Sequence, residues 1–281
     1  MKLHHILNPY LVPLESEDNL VQKRTFESIN LAREYAKDYI DINIIAKVDE
    51  KEVEQFEQQL PQNHLYVAKL NKLSEDLDKK FRVPRRLPLL NDLVSLPQPL
   101  SKNIDDDDYL IFTNMDICVQ PFFYAEVSQM IKRGFSCFVI NRRTVDKDLL
   151  NQPLANSFAS DGDKHIGHDC FVLPAKLLQK FRLKEHILGI GFVFRPFLLN
   201  CIMHAENFHE FEDLYMTYHY GDDMTWKNDK YADYLEHNKQ MMIDVFTDNL
   251  TLIQNLPLEK QKWINKFFPF DFLPKVEFNN V

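Results

Sequence analysis

Glycine is scarce in this chain of 281 residues, with six in all, and none builds a Gly-rich, Lys-bearing loop of the kind that cradles phosphates. That absence weakens a nucleotidyltransferase reading. Cysteine is equally sparse: Cys118, Cys137, Cys170 and Cys201 form no CxxC pair, and each sits in an apolar run. Such spacing argues against a disulfide framework or a structural zinc site and suits reduced thiols in a core. Positive charge is in deficit, with a formal net charge of -9, so a non-specific grip on nucleic acid or anionic lipid is not expected. A long hydrophobic run is missing too. The stretch from Ile187 to Met203 is interrupted by Arg195 and Pro196 and is shorter than the roughly 20 residues a bilayer requires, so it reads as buried core. Met1 to His5 leads into Ile6-Leu7-Asn8-Pro9 with no apolar leader or small-residue cleavage site. The expectation is a cytoplasmic chain that starts at Met1, without a transmembrane segment.

What is present is core material. Apolar residues make up 45 % of the chain and aromatics 12 %, enough for a large folded body. Short apolar runs alternate with amphipathic stretches, the pattern of strands buried on both faces and covered by helices. Strands are predicted at 3–7, 42–48, 65–70, 109–113, 136–141 and 170–173. Helices are predicted at about 19–38, with Leu20, Phe26, Ile29, Ala32 and Tyr35 on one face, and at 50–59, 121–133 and 230–255. Prolines at 84, 88, 97 and 99 bracket a short helix within 89–94. The acidic run Asp105 to Asp108 reads as a solvated loop. The tail carries Trp263, Phe267, Phe268, Phe270 and Phe272, expected to pack on the domain or on a partner.

Chemistry concentrates where predicted strands stop. After Tyr109 to Thr113, Asn114 and Asp116 stand at i, i+2, and ligands of open α/β sheets gather at the carboxyl ends of strands. Such an oxygen pair can hold a divalent ion that also binds a diphosphate. Equally, the two can form a turn or cap the helix beginning near Phe122. His165-Ile166-Gly167-His168-Asp169 precedes the strand at 170, and its imidazoles and carboxylate can bind a hydroxyl, accept a proton or orient one another. Tyr218-His219-Tyr220-Gly221-Asp222-Asp223 offers His219 as a nitrogen ligand to a metal at Asp116, or as an ordinary hydrogen-bonded histidine. Arg142, Arg143, Arg85, Arg86 and Arg195 each need an anionic or hydrogen-bonding partner, either a phosphate or an internal carboxylate such as Asp92.

The segments Phe112-Thr113-Asn114-Met115-Asp116-Ile117, Phe138 to Arg143 and Gly167 to Pro174 together resemble a family of GT-A-like glycosyltransferases. The likeness runs from His5-Ile6-Leu7-Asn8-Pro9 to Asp223. It implies a Rossmann-like α/β fold with a mixed, mostly parallel central sheet flanked by helices and a helical C-terminal region. It also implies a nucleotide-sugar-binding catalytic domain at 1–225 with a helical extension, 226–281, packed on it. On this resemblance Asp116 and His219, with Asn114 beside them, would hold Mn2+ or Mg2+ against the donor diphosphate. Asn8 would lie at the nucleotide edge, Arg142, Arg143 and His168 would bind the donor, and Asp169 would face sugar or acceptor as the catalytic residue. The partners implied are a nucleoside-diphosphate sugar and a hydroxyl acceptor on a glycan, lipid-linked carrier or protein, with oligomerisation open. Two departures stand out: the acidic motif begins with Asn114, and residues 189–203 contain no acid to serve as base. The competing readings are a non-catalytic carbohydrate-binding or assembly protein on the same fold, and a nucleotidyltransferase.

Overall fold

The computed structural model describes residues 1–59, 65–98, 100–221 and 228–279. The strands are β1 (Lys2–Leu7), β2 (Asp41–Val48), β3 (Leu65–Lys69), β4 (Tyr109–Thr113), β5 (Cys118–Val119), β6 (Cys137–Ile140), β7 (Arg143–Val145), β8 (Asp163–Lys164), β9 (Cys170–Pro174), β10 (Phe208–Phe211) and β11 (Thr217–Tyr220). The helices are α1 (Glu17–Ala36), α2 (Val53–Gln59), α3 (Leu90–Leu93), α4 (Phe123–Lys132), α5 (Leu154–Ala159), α6 (Arg195–His204), α7 (Ala232–Asp248), α8 (Leu250–Gln254) and α9 (Leu258–Phe267). Each predicted strand is present, and the fold is mixed α/β with a mostly parallel central sheet. Two compact units share the chain, each assembled from three separate segments.

The first unit comprises Met1–Lys69, Leu96–Lys176 and His209–Asp223. Its main sheet has the order β10-β6-β9-β4-β1-β2-β3. β3, β2, β1 and β4 run parallel, while β9 is antiparallel to both β4 and β6. The carboxyl ends of β1, β2, β4 and β6 therefore share one edge with the amino end of β9. A second, four-stranded sheet has the order β5-β11-β7-β8. Its strands are two to four residues long.

Helix α1 begins at Ser16, whose side chain accepts the amide of Asn19, and Glu17 and Asp18 complement the positive end of the helix. Its buried stripe differs from the apolar one expected. Gln22, Thr25, Ser28, Ile29, Ala32 and Ala36 are buried, whereas Tyr35 is exposed. The buried hydroxyls are hydrogen-bonded: Ser28 Oγ donates to the Thr25 carbonyl at 2.8 Å and accepts the Val119 amide at 3.1 Å. Helix α4 ends at Gly134, whose φ of 95° suits a residue without Cβ.

The second unit comprises Leu70–Ser95, Leu177–Phe208 and Met224–Val281. One of its cores gathers Leu89, Ile187, Ile190 and Tyr234. The helix expected at 230–255 is divided at Asn249, which closes α7 and opens α8 while its amide donates to the Val245 carbonyl at 2.7 Å. In the buried 187–203 stretch, α6 starts at Arg195 with Pro196 in its first turn, where a missing N–H costs nothing. The aromatic tail packs within this unit: Trp263 stacks on Phe267, and Phe270 on Phe272. Among the described residues no helix is long and apolar enough to cross a membrane.

Candidate active site

The carboxyl edge of the main sheet carries Asn8 after β1, Asn114 and Asp116 after β4, and Arg142 after β6, with Asp169 just before β9. The register explains their meeting, because Thr113 faces Cys170 and Ile140 faces the same residue from the other side. The second sheet then brings in His219: β11 pairs with β5 antiparallel and with β7 in parallel.

Asn114 and Asp116 occupy a turn closed by the Ile117 amide on the Asn114 carbonyl at 3.2 Å. They do not cap the following helix, since α4 begins at Phe123 with Phe122 as its N-terminal flank. His219 Nε2 stands 3.3 Å from Asp116 Oδ2, across 103 positions of sequence. Its other nitrogen, Nδ1, is 2.7 Å from the Gly221 carbonyl, which can only accept. Nδ1 therefore carries the proton, and in the neutral ring the Nε2 lone pair faces a carboxylate oxygen. Two acceptors so placed require a cation between them, either a proton or a metal. Asp116 Oδ1, the other oxygen of the same carboxyl, is shielded from solvent and has no hydrogen-bond partner. An imidazole nitrogen and a carboxylate suit Mn2+, with phosphate or water oxygens completing its shell, better than Mg2+, which takes oxygen ligands. Burial pushes the Asp116 carboxyl up, but the His219 contact and the Arg142 charge outweigh it and hold the group below its ordinary value.

Asp169 has the opposite balance. Burial pushes it up, Asp116 adds to the rise, and Arg142 only partly reverses it. The two neighbouring carboxyls are thereby pushed in opposite directions, Asp116 down and Asp169 up. Arg142 Nε lies 3.0 Å from Asp169 Oδ2 without hydrogen-bond alignment, and donates instead to His165 Nδ1 at 3.3 Å. Asp169 Oδ2 is left as a buried acceptor with no hydrogen-bond donor. Gly167 makes this loop possible: its amide donates to His165 Nδ1 at 2.9 Å, and a Cβ there would stand 2.4 Å from the imidazole and 3.0 Å from Asp169 Oδ2.

Other expected residues are engaged elsewhere. His168 is buried and pairs through Nε2 with Glu210 at 3.1 Å, and Asn141 donates to the same oxygen. Arg143 is buried over the ring of Tyr215, 4.0 Å from its centroid, with Asp213 3.5 Å away. The Asn8 amide donates to the Lys47 carbonyl at 2.8 Å. In the second unit, Arg195 donates to the Phe267 carbonyl, Arg86 pairs with Glu75, and Arg85 lies over Tyr231. Asp92 accepts the backbone amides of Asn71 and Lys72 rather than an arginine. Asp222 and Asp223 lie outside the described residues. Glu210 and Tyr215 escaped the sequence reading; the only signal was a charge set between Phe208 and Phe211.

The carboxylate cluster that could ligate a metal among the described residues is Asp105, Asp107 and Asp108, at the amino end of β4 and away from Asp116. The acidic loop is solvated only in part, because Asp108 is fully buried and accepts the Lys2 amide at 2.7 Å.

No family model and no curated protein matches this chain. Several solved structures overlap it. S. aureus TarS 1-349 in complex with UDP-GlcNAc is 13 % identical at a TM-score of 0.47, covering 94 % of this chain and 79 % of that one. The mannosyltransferase PcManGT from Pyrobaculum calidifontis, with GDP-Man and Mn2+, is 11 % identical at a TM-score of 0.46, covering 89 % and 64 %. The 4-diphosphocytidyl-2C-methyl-D-erythritol synthase of Anaerococcus prevotii is 10 % identical at a TM-score of 0.39, covering 85 % and 96 %.

Proposed function

We propose that this protein transfers a sugar from a nucleoside-diphosphate sugar to a hydroxyl acceptor, with a divalent ion held by Asp116 and His219. The observation that carries the reading is the pair of acceptors, His219 Nε2 and Asp116 Oδ2, facing each other at 3.3 Å while Nδ1 is committed to Gly221. Mn2+ or Mg2+ bound there would neutralise charge on the leaving diphosphate. Asp169, whose unsatisfied Oδ2 is pushed toward protonation, would receive the acceptor hydroxyl proton. Arg142 holds Asp169 and His165 in place and adds positive charge near the metal ligands. Asn8 would sit at the nucleotide edge, and Arg143 and His168 would shape the donor site from behind. In this reading the catalytic domain lies within residues 1–225, and helices α7, α8 and α9 make up the C-terminal extension. Four buried cysteines that form no disulfide fit a reducing compartment, and we place the reaction in the cytoplasm.

Calorimetric titration with UDP and with GDP, each with and without Mn2+, tests the proposal on the native protein and on Asp116→Ala. Metal-dependent binding that disappears in the variant supports the donor site and names the base. Absence of nucleotide binding under every condition overturns it and favours a non-catalytic carbohydrate-binding role, which the asparagine at position 114 also fits. Release of pyrophosphate in place of a nucleoside diphosphate would reassign the chemistry to nucleotidyl transfer.

A further inference from the structure

The second sheet brings one more charged side chain to the end where Asp116 and His219 meet. Strand β11 lies between β5 and β7, and it runs parallel to β7 with Tyr220 opposite Val145. Lys147 follows Val145 by two residues, so it leaves the sheet at the carboxyl end of β11, one strand over from His219. Its stem lies over Gly221, where a Cβ would stand 3.5 Å from Lys147 Cδ. The Gly221 carbonyl accepts from His219 Nδ1 at 2.7 Å, and the Gly221 amide donates to the Val145 carbonyl at 3.0 Å. One glycine therefore touches both His219 and Lys147, and all of these residues belong to the first unit.

The Lys147 ammonium stands 2.7 Å from Glu17 Oε1, at the start of α1, and the two side chains are 42 % and 51 % exposed. An ion pair this open to water contributes little and exchanges partners readily. The arginines nearby are placed differently: Arg142 is held against Asp169 and His165, and Arg143 lies buried over Tyr215. Asp146, the neighbour of Lys147, accepts the Asp148 amide at 2.9 Å. Lys147 thus combines a stem packed beside the His219 carbonyl partner with a charge that a ligand can reach. A divalent ion offsets only part of the charge on a departing diphosphate, and a positioned lysine supplies more.

We propose that Lys147 binds the diphosphate of the donor beside the metal, exchanging Glu17 for a phosphate oxygen. This inference rests on the reading of Asp116 and His219 as the metal ligands of the donor site. The ammonium stays protonated throughout, and no bond is made or broken at it. Its charge stabilises the diphosphate more strongly as the sugar departs, because negative charge builds up on the leaving oxygen. Glu17 holds the ammonium when no phosphate does.

The test is calorimetry on the full chain with Mn2+ alone, and with UDP and GDP in the presence of Mn2+, for the native protein, Lys147→Met, Lys147→Arg and Glu17→Gln. Lys147→Met should weaken nucleotide binding about tenfold or more, the worth of a hydrogen bond to a charged group. Its thermal midpoint and its affinity for Mn2+ alone should match those of the native protein. Lys147→Arg, which keeps the charge, should lose less than Lys147→Met. Glu17→Gln removes the competing carboxylate and should bind the nucleotide as tightly as the native protein or more tightly. A pair needed only for structure would instead be lost equally in Lys147→Met and Glu17→Gln. Nucleotide binding unchanged by Lys147→Met, or weakened as much by Glu17→Gln, would overturn this inference and leave the metal site standing. Failure of the native protein to bind either nucleotide with Mn2+ would overturn both.

Discussion

Asp116→Asn should remove metal-dependent nucleotide binding while leaving the fold nearly as stable as before. The substitution keeps shape and replaces one acceptor by an amide N–H that can donate to His219 Nε2 across the present 3.3 Å gap. Such a bond contributes about 0.5–1.5 kcal/mol. It offsets the ion pair lost when His219 is protonated, which is worth about 0–1 kcal/mol because the Asp116 side chain is 48 % exposed. The net change in unfolding free energy is therefore within about 1 kcal/mol, read by urea denaturation. Metal affinity behaves differently. Loss of an outer-shell partner typically costs about 10–100-fold, and loss of one of two protein donors should cost at least that much. Calorimetry with UDP or GDP and Mn2+ measures it. Stability lost by several kcal/mol with binding unchanged would refute the assignment and make Asp116 a structural residue.

Three further outcomes follow from the same geometry. Gly167→Ala places a methyl 2.4 Å from the His165 ring, so it should cost about 1–3 kcal/mol and weaken acceptor turnover more than nucleotide binding; an unchanged denaturation midpoint would contradict this. Lys260→Met removes a buried ammonium 2.5 Å from the Ala205 carbonyl at the end of α6, and should cost about 1–3 kcal/mol in urea unfolding. Burial lowers His5 to about 3 and His186 to about 4, so both are neutral in the folded state. Unfolded histidine takes up its proton near pH 6.5, so stability is complete above that value and is lost as pH falls toward these lower values. The loss should be about 1–2 kcal/mol per histidine between pH 7 and 5. A flat or rising profile over that range would show that these rings are not buried neutral.

The apolar runs around Ile6, Ile45, Ile111, Val139 and Val172 were enough to place the main strands, because a strand buried on both faces has few ways to be written. The ends of those strands then located Asn8, Asn114, Asp116, Arg142 and Asp169 in outline. Strands β5, β7, β8 and β11 are two to four residues long, too short to impose a period, and only long-range pairing stabilises them. That second sheet is what carries His219 to Asp116. Register likewise decided that Asp169 meets Arg142 and that His168 turns to the buried Glu210. Residue types at strand ends announce that chemistry is available. Which of them touch depends on sheet order and register, which arise from contacts between residues a hundred positions apart.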